Sequence, residues 1–210
     1  LAAASVAFTG FGAGFADFDN DGELDLYVGN GRVGRGLPTP VPFAEPNHLF
    51  RGLGANRFEL VDPGGGTAVE HFDNSRAVAF ADYDGDGGID MAVVNNGGQA
   101  RLLRNMAGAG RGWLKLEVAG ENGSEATGAR IRVLSGDRLQ WRTVGRAASY
   151  LASNSAVAHF GLGDEKEADE VVVYWPDGGE TKYGPLPGRT TYSIRKGDAT
   201  ARPVSRSAAE

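Results

Sequence analysis

The chain has 210 residues, a formal net charge of −6 and no cysteine. Its length suits one or two domains with a buried core. The lack of cysteine excludes disulfides, zinc–thiolate sites and cysteine nucleophiles. No basic stripe indicates nucleic-acid binding, and no run of about 18 apolar residues is present to span a membrane.

The first half of the chain is predicted to contain two repeated units of short strands, rich in Val, Ile, Phe and Tyr and bounded by Gly and Asn. The predicted strands are 11–15, 24–28, 48–51 and 57–61 in the first unit, and 78–81, 89–94 and 100–104 in the second. An aspartate-rich loop lies between the first two strands of each unit. Four strands in a unit are typical of a propeller blade, and residues 31–46 would form an enlarged surface loop.

The aspartate-rich loops follow one pattern, which occurs over residues 17–25 and again over 82–90. Each copy has acids at loop positions 1, 3, 5 and 9 and a glycine at position 6, which is Gly22 or Gly87. Clustered carboxylates repel one another unless a cation neutralises them, and calcium favours several hard oxygen ligands. Glycine permits the positive φ of a sharp turn around an ion. The pattern therefore predicts two calcium sites.

The predicted ligands are the four carboxylates and the backbone carbonyl at position 7, with water completing each shell. They are Asp17, Asp19, Asp21, Glu23 and Asp25 in the first loop, and Asp82, Asp84, Asp86, Gly88 and Asp90 in the second.

An EF-hand is excluded because it needs a bidentate glutamate at position 12 and a helix on each side. Position 12 is Val28 in the first loop and Val93 in the second, and both loops lie between predicted strands. The simpler alternative is that both loops are polar turns, since Asp and Gly are common turn formers.

From residue 113 onward the aspartate pattern is absent and the chain is predicted to form a β-sandwich. Six alternating strands separated by turn residues support this fold. They are 113–118, 129–134, 139–144, 156–160, 170–175 and 190–194. The domain prediction is thus two blades over 1–107, a sandwich over 108–197 and a flexible tail over 198–210.

Particular motifs resemble two known families. Residues 15–22 with Leu24 to Leu26, and the second copy through Asn95, resemble FG-GAP repeats, also called VCBS repeats. The later motifs resemble the ASPIC/UnbV domain; they are residues 113–117, 128–132, 149–154, 159–163 and 171–178. Blades followed by ASPIC/UnbV resemble the carboxyl-terminal half of the cartilage acidic protein family and its bacterial relatives.

The resemblance implies a secreted or surface protein that binds calcium through the aspartates of its blades and acts in adhesion or interaction. It implies no catalytic residues. Family propellers have about seven blades, whereas this chain has two, which cannot close a ring and leave sheet edges unpaired. Either the chain is a piece of a longer protein, or the sandwich or a partner covers the edges, or copies add head to tail into a ring or filament.

Other constellations give weaker hypotheses. His48, His71 and His159 lie far apart in sequence, and the serines near His159 lack a nucleophile elbow. We therefore expect a non-enzyme. Trp113, Trp141 and Trp175 are a possible sugar-stacking platform, which keeps a carbohydrate-binding accessory module open as an alternative.

The sequence as a whole predicts an all-β calcium-binding module that is secreted, extracellular or periplasmic. Its expected partner is a protein or glycan at the cell surface, and a homo-oligomer through open sheet edges is the further alternative. Because Leu1 is not methionine, we also expect a removed signal peptide or a longer parent chain.

Overall fold

The computed structural model describes residues 2–34 and 43–204. Within these residues the regular structure is almost entirely strands, apart from the four-residue helix α1 (Ala2–Ser5) and a 3₁₀ turn at Gly64–Gly66. The predicted all-β fold class is confirmed.

Nine strands lie in the described residues before 107, and seven of them form two antiparallel sheets. They are β1 (Gly10–Ala16), β2 (Asp25–Asn30), β3 (Glu45–Pro46), β4 (His48–Gly52), β5 (Phe58–Leu60), β6 (Phe72–Asp73), β7 (Ser75–Ala81), β8 (Asp90–Asn95) and β9 (Arg101–Leu103). The first sheet has the order β1-β2-β4-β5 and the second β7-β8-β9. The predicted strands of both units are therefore found. The short pair β3-β6 was not predicted, and residues 35–42 of the enlarged loop lie outside the described residues.

The two sheets pack against each other along their first strands. Gly12 on β1 lies so near β7 that an added Cβ would come 2.6 Å from the backbone nitrogen of Val78. Tyr27, Val78, Phe80 and Val93 fill the space between the sheets with others of one buried apolar cluster. Neighbouring sheets that meet in this way have the arrangement of adjacent propeller blades.

Ten strands lie in the described residues from 112 to 204. They are β10 (Gly112–Ala119), β11 (Arg130–Ser135), β12 (Arg138–Thr143), β13 (Ala158–Gly163), β14 (Glu167–Ala168), β15 (Glu170–Tyr174), β16 (Glu180–Tyr183), β17 (Leu186–Pro187), β18 (Thr190–Arg195) and β19 (Arg202–Pro203). Two four-stranded sheets, β13-β10-β18-β19 and β12-β11-β15-β16, enclose a second apolar core that contains Leu114, Ile131, Phe160, Val173 and Ile194. The six predicted strands correspond to β10, β11, β12, β13, β15 and β18.

The end of the described chain differs from the prediction of a flexible tail. Arg202 and Pro203 form β19 and pair with Ser193 and Tyr192 of β18. Backbone pairing at a sheet edge holds these two residues, although they have little apolar surface to bury. Residues 205–210 of the predicted tail lie outside the described residues.

The two faces of the β13-β10 pair have different partners. Side chains alternate between the faces of a strand, so Leu114, Leu116 and Phe160 enter the sandwich core. Lys115 and His159, which are paired across the two strands, project from the opposite face. That face lies against the aspartate loops of the blades, as the contacts below show.

Candidate metal centre

The two aspartate loops connect β1 to β2 and β7 to β8, as predicted. Their position-6 glycines have positive φ, 90° at Gly22 and 95° at Gly87. Position 4 is also left-handed, with φ of 57° at Asn20 and 79° at Gly85. The loops thus share one backbone shape, which non-glycine residues rarely adopt at position 6.

Three carboxylates of each loop come together. Asp17, Asp19 and Asp21 offer oxygens that all lie within 4.8 Å of one another, and Asp82, Asp84 and Asp86 do the same. These are loop positions 1, 3 and 5. Three hard anionic oxygens at this separation suit a calcium ion.

The acids at position 9 have a different role in the structure. Asp25 accepts backbone hydrogen bonds from Phe18 and Gly52, each at 2.8 Å. Asp90 accepts from Tyr83 at 3.0 Å and from Asn105 at 2.8 Å. Both oxygens of each carboxylate are therefore used to close the loop onto neighbouring backbone. The three-residue clusters do not contain these two residues, and their role as calcium ligands stays a prediction.

Position 7 contributes backbone to the same turns. The Glu23 amide donates to Asp21 Oδ1 at 2.8 Å, and the Gly88 amide donates to Asp86 Oδ1 at 2.9 Å. These bonds orient the position-5 carboxylates. Ligation by the carbonyls of Glu23 and Gly88 stays a prediction.

Asp17 is the most deeply placed of the clustered acids, with 1% of its surface exposed. Burial raises its pKa to about 7, and burial also raises the pKa of Asp25 to about 6. A buried carboxylate is costly to ionise without a nearby positive charge. A bound cation would supply that charge, so the residues present fit the predicted metal.

The position-1 aspartates connect the loops to the sandwich. Asp17 accepts hydrogen bonds from the amide of Gly22 at 2.8 Å and, across the domain boundary, from the amide of Gly161 at 3.1 Å. Asp82 accepts from the amide of Gly87 at 2.9 Å and forms an ion pair with Lys115.

His159 makes a further contact between the sandwich and the second loop. Its Nε2 donates a hydrogen bond to the carbonyl oxygen of Gly87 at 3.0 Å. Burial lowers the pKa of His159 to about 4, so the ring is neutral. This histidine therefore contributes a structural contact between β13 and the second loop.

Sequence reasoning did not identify Lys115 and Gly161 as neighbours of the metal loops. Both lie in motifs that were singled out, 113–117 and 159–163. The sequence did contain one signal for Lys115, which stands between two leucines on a strand. Because side chains alternate between the two faces of a strand, this lysine is expected on the face opposite the core. Nothing in the sequence indicated what covers that face.

The three tryptophans occupy different environments. Trp175 is buried and donates from Nε1 to Thr181 Oγ1 at 2.9 Å. Trp113 lies under the second loop, where its indole fills the space that a Cβ on Gly87 would need. Trp141 is 40% exposed and stacks on Tyr174 with ring centroids 5.5 Å apart. Trp141 alone of the three has a substantially exposed ring.

Two family models match successive parts of the chain. The family model for FG-GAP-like repeats matches residues 17–93, and the model for ASPIC and UnbV matches residues 119–201. The chain is thus similar to FG-GAP-like repeats and, after them, to ASPIC and UnbV domains, which confirms the resemblance predicted from the sequence.

Among individual proteins, the chain is similar to cartilage acidic protein 1. It is 32% identical to the human protein over 173 residues, which cover 78% of this chain and 24% of the relative. Identity is also 32% to the mouse and Xenopus tropicalis proteins, over 78% of this chain and 25% of each relative. The chain spans about a quarter of the length of these curated relatives. Within the described residues, no helix is long and apolar enough to cross a membrane.

Proposed function

We propose that this chain is a non-catalytic, extracellular interaction module that binds calcium through its two aspartate loops. The observation that carries the proposal is the clustering of Asp17, Asp19 and Asp21, and of Asp82, Asp84 and Asp86, in loops of one backbone shape. In each loop Asp at positions 1, 3 and 5 would hold the ion, and the carbonyl at position 7 and water would add oxygens.

Calcium would act mainly as a structural ion. Each loop lies where a blade meets the sandwich, and Asp17 and Asp82 contact both. An ion that binds the folded chain alone stabilises it by mass action. Calcium would thus hold the loops and their junction with the sandwich in one arrangement. Millimolar calcium outside cells suits sites of modest affinity.

The expected location and partner follow from the domain content. Relatives named for cartilage, a tissue rich in extracellular matrix, support an extracellular or periplasmic location. The partner we propose is a protein or a glycan at the cell surface. The remaining alternative is assembly of copies through the outer strands β5 and β9, which are edges of the two blade sheets.

The first test is calorimetric titration of chelator-treated protein with calcium, read alongside its melting temperature. We expect binding and a rise in melting temperature. Asp19→Ala should lower the melting temperature in calcium and have little effect in EDTA, because it removes a ligand from a surface loop. The exposed turn residue Asp137 supplies the control Asp137→Ala, which should behave as wild type. If Asp19→Ala lowered the melting temperature as much in EDTA as in calcium, the effect could not act through the ion.

A carbohydrate-binding module is the second candidate, and Trp141 is the observation that favours it. Its exposed ring borders a groove of about 490 Å³ that also includes Phe15, Phe58 and Arg138. Aromatic faces with a nearby guanidinium suit the apolar face and hydroxyls of a sugar ring. A glycan array should show saturable binding that Trp141→Ala abolishes and the remote Trp175→Phe preserves. Unchanged binding by Trp141→Ala would exclude this groove.

A further inference from the structure

A buried lysine of the sandwich lies beside the second aspartate loop. The Lys115 ammonium forms an ion pair with Asp82 Oδ2, and the two side chains are 4% and 3% exposed. Its Nζ also lies 4.6 Å from the centroid of the Trp113 ring. A buried ammonium is stable only with a close counter-charge, so Lys115 and Asp82 depend on each other.

The outer side of the same loop has a second protein cation. Arg104 Nε lies 2.6 Å from Asp84 Oδ2, and its Nη2 donates to Asp86 Oδ2 at 3.1 Å. All three clustered carboxylates of this loop therefore pair with a basic side chain. Arg104 is 53% exposed, so water and salt screen its contribution more than that of Lys115.

The first loop has less protein charge at the same positions. Where Asp82 meets Lys115, Asp17 meets the neutral backbone amide of Gly161. Arg111 Nη1 approaches Asp19 Oδ2 at 3.3 Å from the exposed side. Arg142 lies near Asp17, but its guanidinium donates to the backbone oxygens of His159 and Trp141. No ion pair among the described residues involves Asp21.

We propose that Lys115 is an internal cation of the second loop, and that this loop consequently binds calcium more weakly than the first. The inference rests on the proposed calcium binding. A calcium ion entering the second loop meets the ammonium at Asp82, and like charges at this range repel strongly in a partly buried site. Displacing the ammonium instead leaves it buried without a partner. In the first loop Asp17 forms no ion pair with a basic side chain among the described residues, and Arg111 approaches Asp19 only from the exposed side, so both costs are smaller there.

Calorimetric titration of the whole chain with calcium, comparing wild type with Lys115→Met, tests this inference. Wild type should show one stronger and one weaker site. Methionine keeps most of the length of the side chain without its charge, so the weaker site should tighten about tenfold or more. Without calcium the variant should melt below wild type, and calcium should raise its melting temperature more than that of wild type. Lys182→Met, at an exposed lysine, is the matched control and should leave both sites unchanged.

Arg104→Gln is the second variant, because Lys115→Met removes a buried ion pair and is the more disruptive change. It should tighten the weaker site by a smaller, severalfold factor and fold like wild type. Two equal sites in wild type that neither variant alters would overturn the role of Lys115 while leaving calcium binding in place. No calcium binding by wild type or either variant would overturn both proposals.

Discussion

The two aspartate loops have the same pattern of acids and the same backbone turn, but their surroundings differ. In both, the position-1 carboxylate accepts a hydrogen bond from the position-6 glycine, at 2.8 Å in the first loop and 2.9 Å in the second. The additional donor from the sandwich is the Gly161 amide for Asp17 and the Lys115 ammonium for Asp82. The sequence pattern supplies the proposed ligands, and the packed neighbour supplies the charge that would compete with an ion.

The loops also differ in how solvent reaches them. At positions 3 and 5, Asp19 and Asp21 of the first loop are half-buried, whereas Asp84 and Asp86 of the second loop are exposed. Exposed pairs such as those of Arg104 contribute little to stability. The main difference between the loops is therefore at position 1, where Asp17 accepts from a backbone amide of the sandwich and Asp82 pairs with a lysine.

Asp82→Asn is expected to have the largest effect. It leaves the buried Lys115 ammonium without its counter-charge, which should lower the free energy of unfolding by roughly 3–5 kcal/mol. The loss should be similar in calcium and in EDTA, because the missing charge pairs with a protein group. Urea denaturation in both solutions measures it.

Asp17→Asn is the matched change in the first loop. Its partners are backbone amides, which an asparagine oxygen still accepts in part, so its loss should be smaller in EDTA and larger in calcium. The double variant Asp82→Asn with Lys115→Met should recover part of the stability that Asp82→Asn loses. If the stability losses of Asp17→Asn and Asp82→Asn depended equally on calcium, the proposed difference between the two loops would be wrong.

Local patterns in the sequence predicted the strands and the loop geometry well. Alternating apolar residues predicted the strands β1, β2 and β10. Glycine at position 6 predicted the positive φ that is found at Gly22 and Gly87. Strands of two residues, such as β3 and β19, have no periodicity to detect, because backbone pairing alone defines them.

The candidate site was only partly predictable, because tertiary contacts complete it. Asp25 and Asp90 fit the calcium-loop pattern as well as the other acids do. In the structure, however, their oxygens accept hydrogen bonds from the backbone amides of Gly52 and Asn105. Gly52 is the last residue of β4 and Asn105 follows β9, so both donors lie far along the chain from the carboxylates they contact. Lys115 is separated from Asp82 by 33 positions, and no rule of local spacing joins the two.

Gly161→Ala is expected to have a smaller effect, and it perturbs the first loop alone. An added Cβ would clash with Asp17 Oδ2 and come 2.6 Å from the Asn20 backbone. Overpacking of this kind costs roughly 1–3 kcal/mol. Separation of β13 from the loop should also displace the Asp17 carboxylate, and so weaken the stronger calcium site in calorimetry. The weaker site at the second loop should be unaffected.

Gly145→Ala is the control for this change, because no atom lies within 4 Å of where its Cβ would be. It should leave stability and both calcium affinities near those of wild type. If Gly161→Ala weakened the two sites equally, the loops would respond to the sandwich as one unit, and position 1 would not distinguish them. If it changed stability but neither affinity, contact with the Gly161 amide would be unnecessary for holding Asp17 in place for an ion.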